Sequence, residues 1–328
     1  IKYWGKVEPQ LPKNSSVSFT LNHCNTITKM TYDLLEEPEE DVAFDVYFEG
    51  VKNDAFRTKI ATFFDRIRRY CPYLTSFRLK IETKNTFPHS SGIASSASGF
   101  SALALCVMSL EQKVYPDLTV AYFKKKASFL ARLGSGSACR SVDGPVIVWG
   151  AHDQLPGSTD LFGTEFPFRI HERFHRYQDS ILLVDQGAKQ ISSTVGHNLM
   201  NDHLFASARF EQARSNASRL AKVLQSGDLK TFVSIVESEA LSLHAMMLTS
   251  ESSFILMKPN TLAIIDLIRN YRAENDSNIC FTLDAGANVH VLYPENERAS
   301  VMKFIESELA PYCQENHYIC DTPVSYTH

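Results

Sequence analysis

Four short segments of this chain carry residue types and spacings that could do chemistry on a polyanion. In Pro88 to Gly99, PHSSGIASSASG, small residues and hydroxyls crowd together immediately before an apolar run. Backbone amides approach an anion closely only where side chains are short. A helix N-terminus adds unpaired N–H groups and the positive end of its dipole. The combination predicts a phosphate cradle. Phe100, Leu103, Val107 and Leu110 recur at intervals of three and four, which places Ser95, Ser96 and Ser98 near the start of a helix. The loop matches neither G-x-x-x-x-G-K-[ST] nor G-x-G-x-x-G, and a Ser-rich surface loop capping an ordinary helix would have the same composition.

The second segment is KYWGK, in which Lys2 and Lys6 bracket Tyr3 and Trp4. Two ammonium groups and two amphipathic rings within five residues suit an anionic substrate, and they equally suit a solvated strand edge. In the third, GSGSACRS from Gly134 to Ser141, small residues precede Arg140. Glycines let backbone wrap oxyanions, and a guanidinium grips a carboxylate or phosphate through two parallel hydrogen bonds. A flexible loop with an incidental arginine is the competing reading. The fourth, TLDAGANV, puts Asp284 at the end of an apolar strand, where a carboxylate can act as a base, orient a hydroxyl or form a turn. In KQISSTVGH (189–197), an N-cap serine explains Ser192, Ser193 and Thr194 without any ligand. His89, His197 and His244 show no metal-ligand spacing and read as structural. Residues 63–73, FFDRIRRYCPY, read as an amphipathic helix with a solvated basic face rather than a nucleic-acid strip.

The elements that must position these groups fit an α+β protein. Strands are expected at 42–50, 76–83 and 145–150, and helices at 57–70, 100–112 and 120–133. Around 150–180 the periodicity dissolves into a Pro/Gly-punctuated connection before a strand restarts at 180–187. The domain boundary is therefore placed at 180/181, giving domains 1–180 and 181–328, the division that 328 residues favour. The second half carries helical patterns at 197–225, 229–246, 260–274 and 297–310, with strands at 279–283 and 288–293.

A net charge of −4 argues against nucleic acid or a membrane surface as the main partner. Seven scattered cysteines without C-x-x-C pairs point to reduced thiols in a cytoplasmic protein. No apolar run reaches membrane-spanning length, and no export signal is visible. The chain opens at Ile1 rather than at a methionine, so the beginning is not read as a natural terminus.

Taken in order, these motifs resemble the GHMP superfamily of small-molecule kinases, and within it the mevalonate diphosphate decarboxylases. PHSSGIASSASG is similar to the superfamily's P-x-x-x-G-[LI]-x-S-S-[AS] phosphate loop. KYWGK, LPKNSSVSFTL (11–21), GSGSACRS, SST-x-G, SLHA (242–245) and TLDAGANV resemble the decarboxylase signatures from one end of the chain to the other. His89, Ser90 and Ser91 depart from the usual Thr-Ala-Ala, and GPVIVWG replaces a more usual Gly-Gly-aromatic continuation.

The resemblance implies a two-domain GHMP-kinase-like fold with the active site in the interdomain cleft. It implies ATP and Mg²⁺ as cofactors, and decarboxylation of mevalonate 5-diphosphate to isopentenyl diphosphate, with ADP, phosphate and carbon dioxide. By resemblance Asp284, Arg140 and Lys2 are catalytic. Asp284 faces the tertiary hydroxyl, Arg140 holds the carboxylate to be expelled, and Lys2 offsets charge in phosphoryl transfer. Tyr3, Trp4, Lys6, Ser135, Gly136, Ser137, Ser193 and Thr194 would line the substrate pocket. Gly92, Ala94, Ser95, Ser96 and Ser98 would meet the nucleotide, with the Ser96 hydroxyl on the metal. Family members pair as homodimers. A monophosphate decarboxylase or a mevalonate 3-kinase on the same fold is the alternative within the superfamily, and a non-catalytic binding protein is the alternative outside it.

Overall fold

The computed structural model describes residues 1–88, 93–187 and 193–324, with only the backbone course at Ser193 and Thr194. The chain begins with a small hairpin, β1 (Lys6–Val7) and β2 (Leu11–Pro12), and continues into β3 (Ser16–Phe19) and the long strand β4 (Thr26–Leu34). Then come β5 (Ala43–Phe48), β6 (Val51–Lys52), helix α1 (Asp54–Ile67) and β7 (Phe77–Asn85). Asn53 caps α1 by accepting the Phe56 N–H. β4, β7, β5 and β6 form one sheet in that order, with β5 parallel to β7 and the other pairs antiparallel.

Helices α2 (Ser95–Val114) and α3 (Val120–Gly134) join α1 over one face of this sheet. Phe44 and Val46 of β5 and Leu79 and Ile81 of β7 meet Phe63 and Ile67 of α1, Val107 and Met108 of α2 and Leu130 of α3 in one buried cluster. The expected basic face of 63–73 is the outer side of α1 and the turn that follows it, since Phe63, Phe64 and Ile67 point into the core.

β8 (Val146–Trp149) pairs with β3 and with β9 (Thr164–Glu165). β10 (Gln178–Leu182) follows, starting two residues before the expected strand and ending sooner. The single helix expected at 197–225 is two, α4 (Ser193–Asn198) and α5 (Ala206–Ser226). Next come α6 (Leu229–Leu248), α7 (Pro259–Asn275), β11 (Cys280–Leu283), β12 (Val289–Tyr293) and α8 (Arg298–Phe304), which runs on in a wider-wound turn to Leu309. β13 (Tyr318–Asp321) closes an antiparallel sheet of order β11, β12, β10, β13.

Helices α5 and α6 lie between these layers. Val17, Val146 and Val148 pack in one cluster with Leu220 and Leu224 of α5, Phe232 of α6 and Leu292 of β12, so residues on both sides of position 180 share a core. A second seam lies under the phosphate loop. Phe87 and Ile93, which flank residues 89–92, are buried against Ile181 and Leu183, with Leu21, Cys24 and Ile319 around them.

A carboxylate fastens that seam. Asp321, almost fully buried, accepts the backbone N–H groups of Asn22 at 3.0 Å, His23 at 3.0 Å, Cys24 at 2.6 Å and Thr322 at 2.7 Å. The Asn22 N–H also donates to the Thr322 carbonyl and the Val324 N–H to that of Thr20. Hydrogen bonds to a buried charge are each stronger than neutral ones, and losing the charge leaves donors poorly paired. Asp321→Asn is expected to lower unfolding free energy by about 2 kcal/mol; a urea midpoint unchanged from wild type would contradict this.

Candidate active site

Lys2 and Asp284 meet across almost the whole chain, with Lys2 Nζ 2.7 Å from Asp284 Oδ1. Asp284 sits where β11 ends and the backbone bends, its carbonyl accepting the Gly286 N–H at 2.8 Å. That carbonyl also accepts a hydrogen bond from His244 Nε2 of α6 at 3.0 Å. Burial pushes the His244 imidazole down to about 4, so it stands neutral with its proton on the nitrogen facing Asp284.

The KYWGK segment is immobilised by its neighbours. The Trp4 N–H donates to Asn14 Oδ1, and the Gly5 N–H to His197 Nδ1 at 3.1 Å. The His197 ring lies 4.2 Å from that of Tyr3 and 4.7 Å from that of Trp4, centroid to centroid. Burial, then the Lys6 and Arg140 charges, hold its pKa down to about 3. Gly196 is required here, because a Cβ would come within 2.6 Å of the Trp4 ring. Lys6 Nζ donates to Gln10 Oε1 at 3.0 Å in the β1–β2 hairpin, and burial lowers the Lys6 pKa.

Arg140 rides on a 3₁₀ turn, Gly136–Ser141, immediately after α3. Ser135 ends α3 by donating its N–H to the Ala131 carbonyl. A Cβ on Gly136 would lie 2.8 Å from the Trp149 ring and 2.9 Å from Tyr3 Oη, so only glycine lets this turn pack on Tyr3. Ser137 is half-buried on the same turn. Arg140 has no ion-pair partner among the described residues; burial lowers its pKa, while the Cys139 and Asp284 charges act in the opposite sense. Its Nε, Tyr3 Oη, Trp4 Nε1 and Ser15 Oγ are buried polar atoms without a hydrogen-bond partner among the described residues. Of these, Arg140 and Tyr3 are neighbours, and a guanidinium nitrogen and a phenol orphaned side by side suit a pocket for a polar ligand.

Where the Pro88–Gly99 segment is described, a helix starts at the serines as expected. α2 starts at Ser95 behind Ala94, which is left-handed at φ 46°, and no side chain caps it among the described residues. Its first N–H groups are thus not consumed by a serine N-cap. Ser96 is exposed and Ser95 and Ser98 half-buried. The Ser101 hydroxyl donates to the Ser141 carbonyl at 3.3 Å, so the helix start and the Arg140 turn are directly linked. Gly92, His89, Ser90, Ser91 and Ser192 lie outside the described residues, as do the side chains of Ser193 and Thr194.

The structure therefore brings Lys2, Tyr3, Trp4, Gly136, Arg140 and Asp284 together and ties Ser95–Ser98 to them through one turn. Sequence reasoning missed Glu239 and Arg209, a buried ion pair at 2.7 Å beneath Lys2. Their signal was readable, because both charges fall within the apolar stripes of consecutive helices.

A helix start without a side-chain cap, an ammonium, a carboxylate and a guanidinium with no ion-pair partner among the described residues would suit phosphoryl transfer between polyanions, the chemistry of small-molecule kinases. Comparison with known proteins narrows that class. Residues 1–161 match the family described as diphosphomevalonate decarboxylase-like N-terminal domain, and residues 180–326 match the mevalonate 5-diphosphate decarboxylase C-terminal domain. A diphosphomevalonate decarboxylase of Aspergillus fumigatus is 28% identical over 95% of this chain and 78% of its own length. A phosphomevalonate decarboxylase of Haloferax volcanii is 27% identical over 89% and 84%. A solved structure, MDDEF in complex with MVAPP, AMPPCP and magnesium, superposes with a TM-score of 0.81 at 27% identity, over 98% of this chain and 92% of that one. The chain belongs to the diphosphomevalonate decarboxylase family.

The neutral histidines give the site a pH signature. His197 has an ordinary value of 6.5 when unfolded and about 3 when folded, so the unfolded chain binds the extra proton and stability falls as pH drops below 6.5. Between pH 7 and pH 5 this group is expected to remove about 2 kcal/mol. His197→Gln, which keeps an acceptor for Gly5, should make that stretch of a denaturation-versus-pH curve clearly less steep, the remaining slope including the similar contribution of His244; an unchanged slope would contradict the assignment.

Proposed function

We propose that this protein catalyses the ATP-dependent decarboxylation of mevalonate 5-diphosphate, giving isopentenyl diphosphate, ADP, phosphate and carbon dioxide. The observation that carries the reading is the 2.7 Å Lys2–Asp284 pair beside an Arg140 that no carboxylate of the described residues neutralises. Asp284 takes the proton of the tertiary hydroxyl as that oxygen attacks the γ-phosphorus of ATP, and ADP leaves. Lys2, in contact with Asp284, moderates the negative charge that gathers as the phosphoryl group passes. The carbon–oxygen bond to the new phosphate then breaks. The bond to the carboxylate breaks in turn, and its electron pair closes the alkene as carbon dioxide departs. Arg140 holds that carboxylate in register, so the departing groups lie on adjacent carbons with no freedom to rotate apart.

Ser135, Gly136 and Ser137 would line the carboxylate pocket with Arg140, Lys6 and Tyr3 would meet diphosphate oxygens or nucleotide phosphates, Ser193 and Thr194 would add donors to the diphosphate, and Trp4 would shape the wall. The start of α2, with Ala94, Ser95, Ser96 and Ser98, receives the ATP phosphates, and Gly92 belongs to the same loop. No group of three or more His, Cys, Asp or Glu side chains that could cage a metal exists among the described residues. Mg²⁺ would be held by the exposed Ser96 hydroxyl at the start of α2 together with nucleotide oxygens. When bound there, the ion would neutralise charge on the phosphates. The same proposal includes an N-terminal ATP-binding domain of residues 1–180, a C-terminal domain of 181–328, a homodimer and a cytoplasmic location. No helix among the described residues is long and apolar enough to cross a membrane.

The Haloferax relative, named for the monophosphate reaction, is 27% identical against 28% for the fungal one, so the 5-monophosphate is the second substrate to test. Phosphate and carbon dioxide release should be supported by the diphosphate with kcat/KM at least tenfold above the monophosphate. The reverse order would move the reading to the monophosphate. Asp284→Asn is expected to lose turnover by about 10³-fold with substrate KM little changed, the range for losing a positioned base; near-normal turnover would remove its role. Arg140→Gln should lower kcat strongly and leave the ATP KM nearly intact.

A further inference from the structure

The Lys2–Asp284 contact is built by two segments from opposite ends of the chain, and helix α6 holds the main chain of both. Glu239 Oε2 accepts the Lys2 N–H at 2.9 Å. His244, five residues further along the helix, donates to the Asp284 carbonyl at 3.0 Å. The two anchor points are separated by roughly 7.5 Å along the helix axis. Glu239 is itself fixed. Arg209 of α5 grips both its oxygens, at 2.7 and 3.1 Å, and Asn216, two turns on, donates to Oε1 at 2.8 Å. The Lys2 carbonyl is held as well, by Asn14 Nδ2 at 3.0 Å and by Arg209 at 3.4 Å.

This is more than a fold needs to keep a pair of charges buried. Isolated buried ion pairs contribute little net stability. Here every acceptor of Glu239 is used, and one of its bonds is to the peptide N–H of a lysine whose ammonium meets the proposed base. α6 is also packed on several sides. It packs through Phe232 and Ile235 into one core, through Ala240 into a second and through Leu243 and Met247 against Trp4.

We infer that Glu239, Arg209 and His244 are positioning residues, and that α6 acts as a gauge fixing the distance between the Lys2 ammonium and the Asp284 carboxylate. The inference rests on the proposed function for its catalytic consequence, but not for the positioning itself.

The test uses the full chain and two readouts. The first is the ¹⁵N resonance of the Lys2 ammonium in lysine-labelled protein, assigned by its loss in Lys2→Met. The second is kcat and KM with ATP, Mg²⁺ and mevalonate 5-diphosphate. In Arg209→Met/Glu239→Leu both charges go, so the fold should survive with a melting temperature within a few degrees of wild type. The Lys2 signal should broaden or shift, and kcat should fall 10- to 100-fold with the ATP KM within about twofold. Should that variant not fold, His244→Leu should reproduce the kcat loss and His244→Gln, which restores an N–H donor, should recover most of it. A folded double variant with a wild-type Lys2 signal or a wild-type kcat would overturn the inference, as would equal kcat values for His244→Leu and His244→Gln. A wild-type protein that turns over no phosphorylated mevalonate, yet loses the Lys2 signal in the double variant, would leave the gauge standing and sink the functional reading instead.

Discussion

A single ion pair between residues 282 positions apart constrains this molecule. Lys2 lies ahead of the first strand and Asp284 follows the eleventh, so no local structure can bring them together. Everything between must be folded before the contact exists. The shared core of β3, β8, α5, α6 and β12 makes that closure cooperative, because Val17 and Val148 are buried by the same side chains that bury Leu292. At the opposite edge the Asp321 carboxylate does comparable work, gathering the turn after β3 to the end of the last sheet under the phosphate loop.

The electrostatics of the site follow from that enclosure. Burial keeps His197 and His244 neutral, so each can serve one hydrogen bond in a defined tautomer without adding charge. The cations that remain, Lys2, Lys6 and Arg140, are fixed by their backbones. Such a preorganised field costs stability in the ligand-free protein, where Arg140 Nε and Tyr3 Oη find no partner among the described residues. On the proposed function, a polyanionic substrate would supply those partners on binding and leave no reorganisation for the moment of reaction.

Much of the site was legible because its chemistry is local. Small residues before a helix, a lone arginine after glycines and an aspartate at a strand end are visible without tertiary context, and α2 begins at the predicted serines. The strand β4 was not legible for a physical reason. Thr28 and Met30 are half-buried on one face while Ile27, on the other, is 51% exposed, and from Thr31 to Leu34 both faces are open to solvent, so no apolar alternation marks the strand. The break between α4 and α5 was hidden because Leu204 and Phe205 continue an apolar period although they are 91% and 51% exposed. Arg209 and Glu239 are the opposite case. Charges on two apolar stripes were there to read, but their target, the main chain of Lys2, is defined only in three dimensions.

The measurement that bears most directly on the account is a single-turnover experiment with excess enzyme, ATP, Mg²⁺ and mevalonate 5-diphosphate labelled with ¹³C at the carboxylate, quenched over time. The account predicts ADP and ¹³CO₂ in equal final amounts, with carbon dioxide never ahead of ADP. ADP formed without labelled carbon dioxide would contradict it, since the Lys2–Asp284 pair would then serve phosphoryl transfer alone and Arg140 would hold a carboxylate that never leaves.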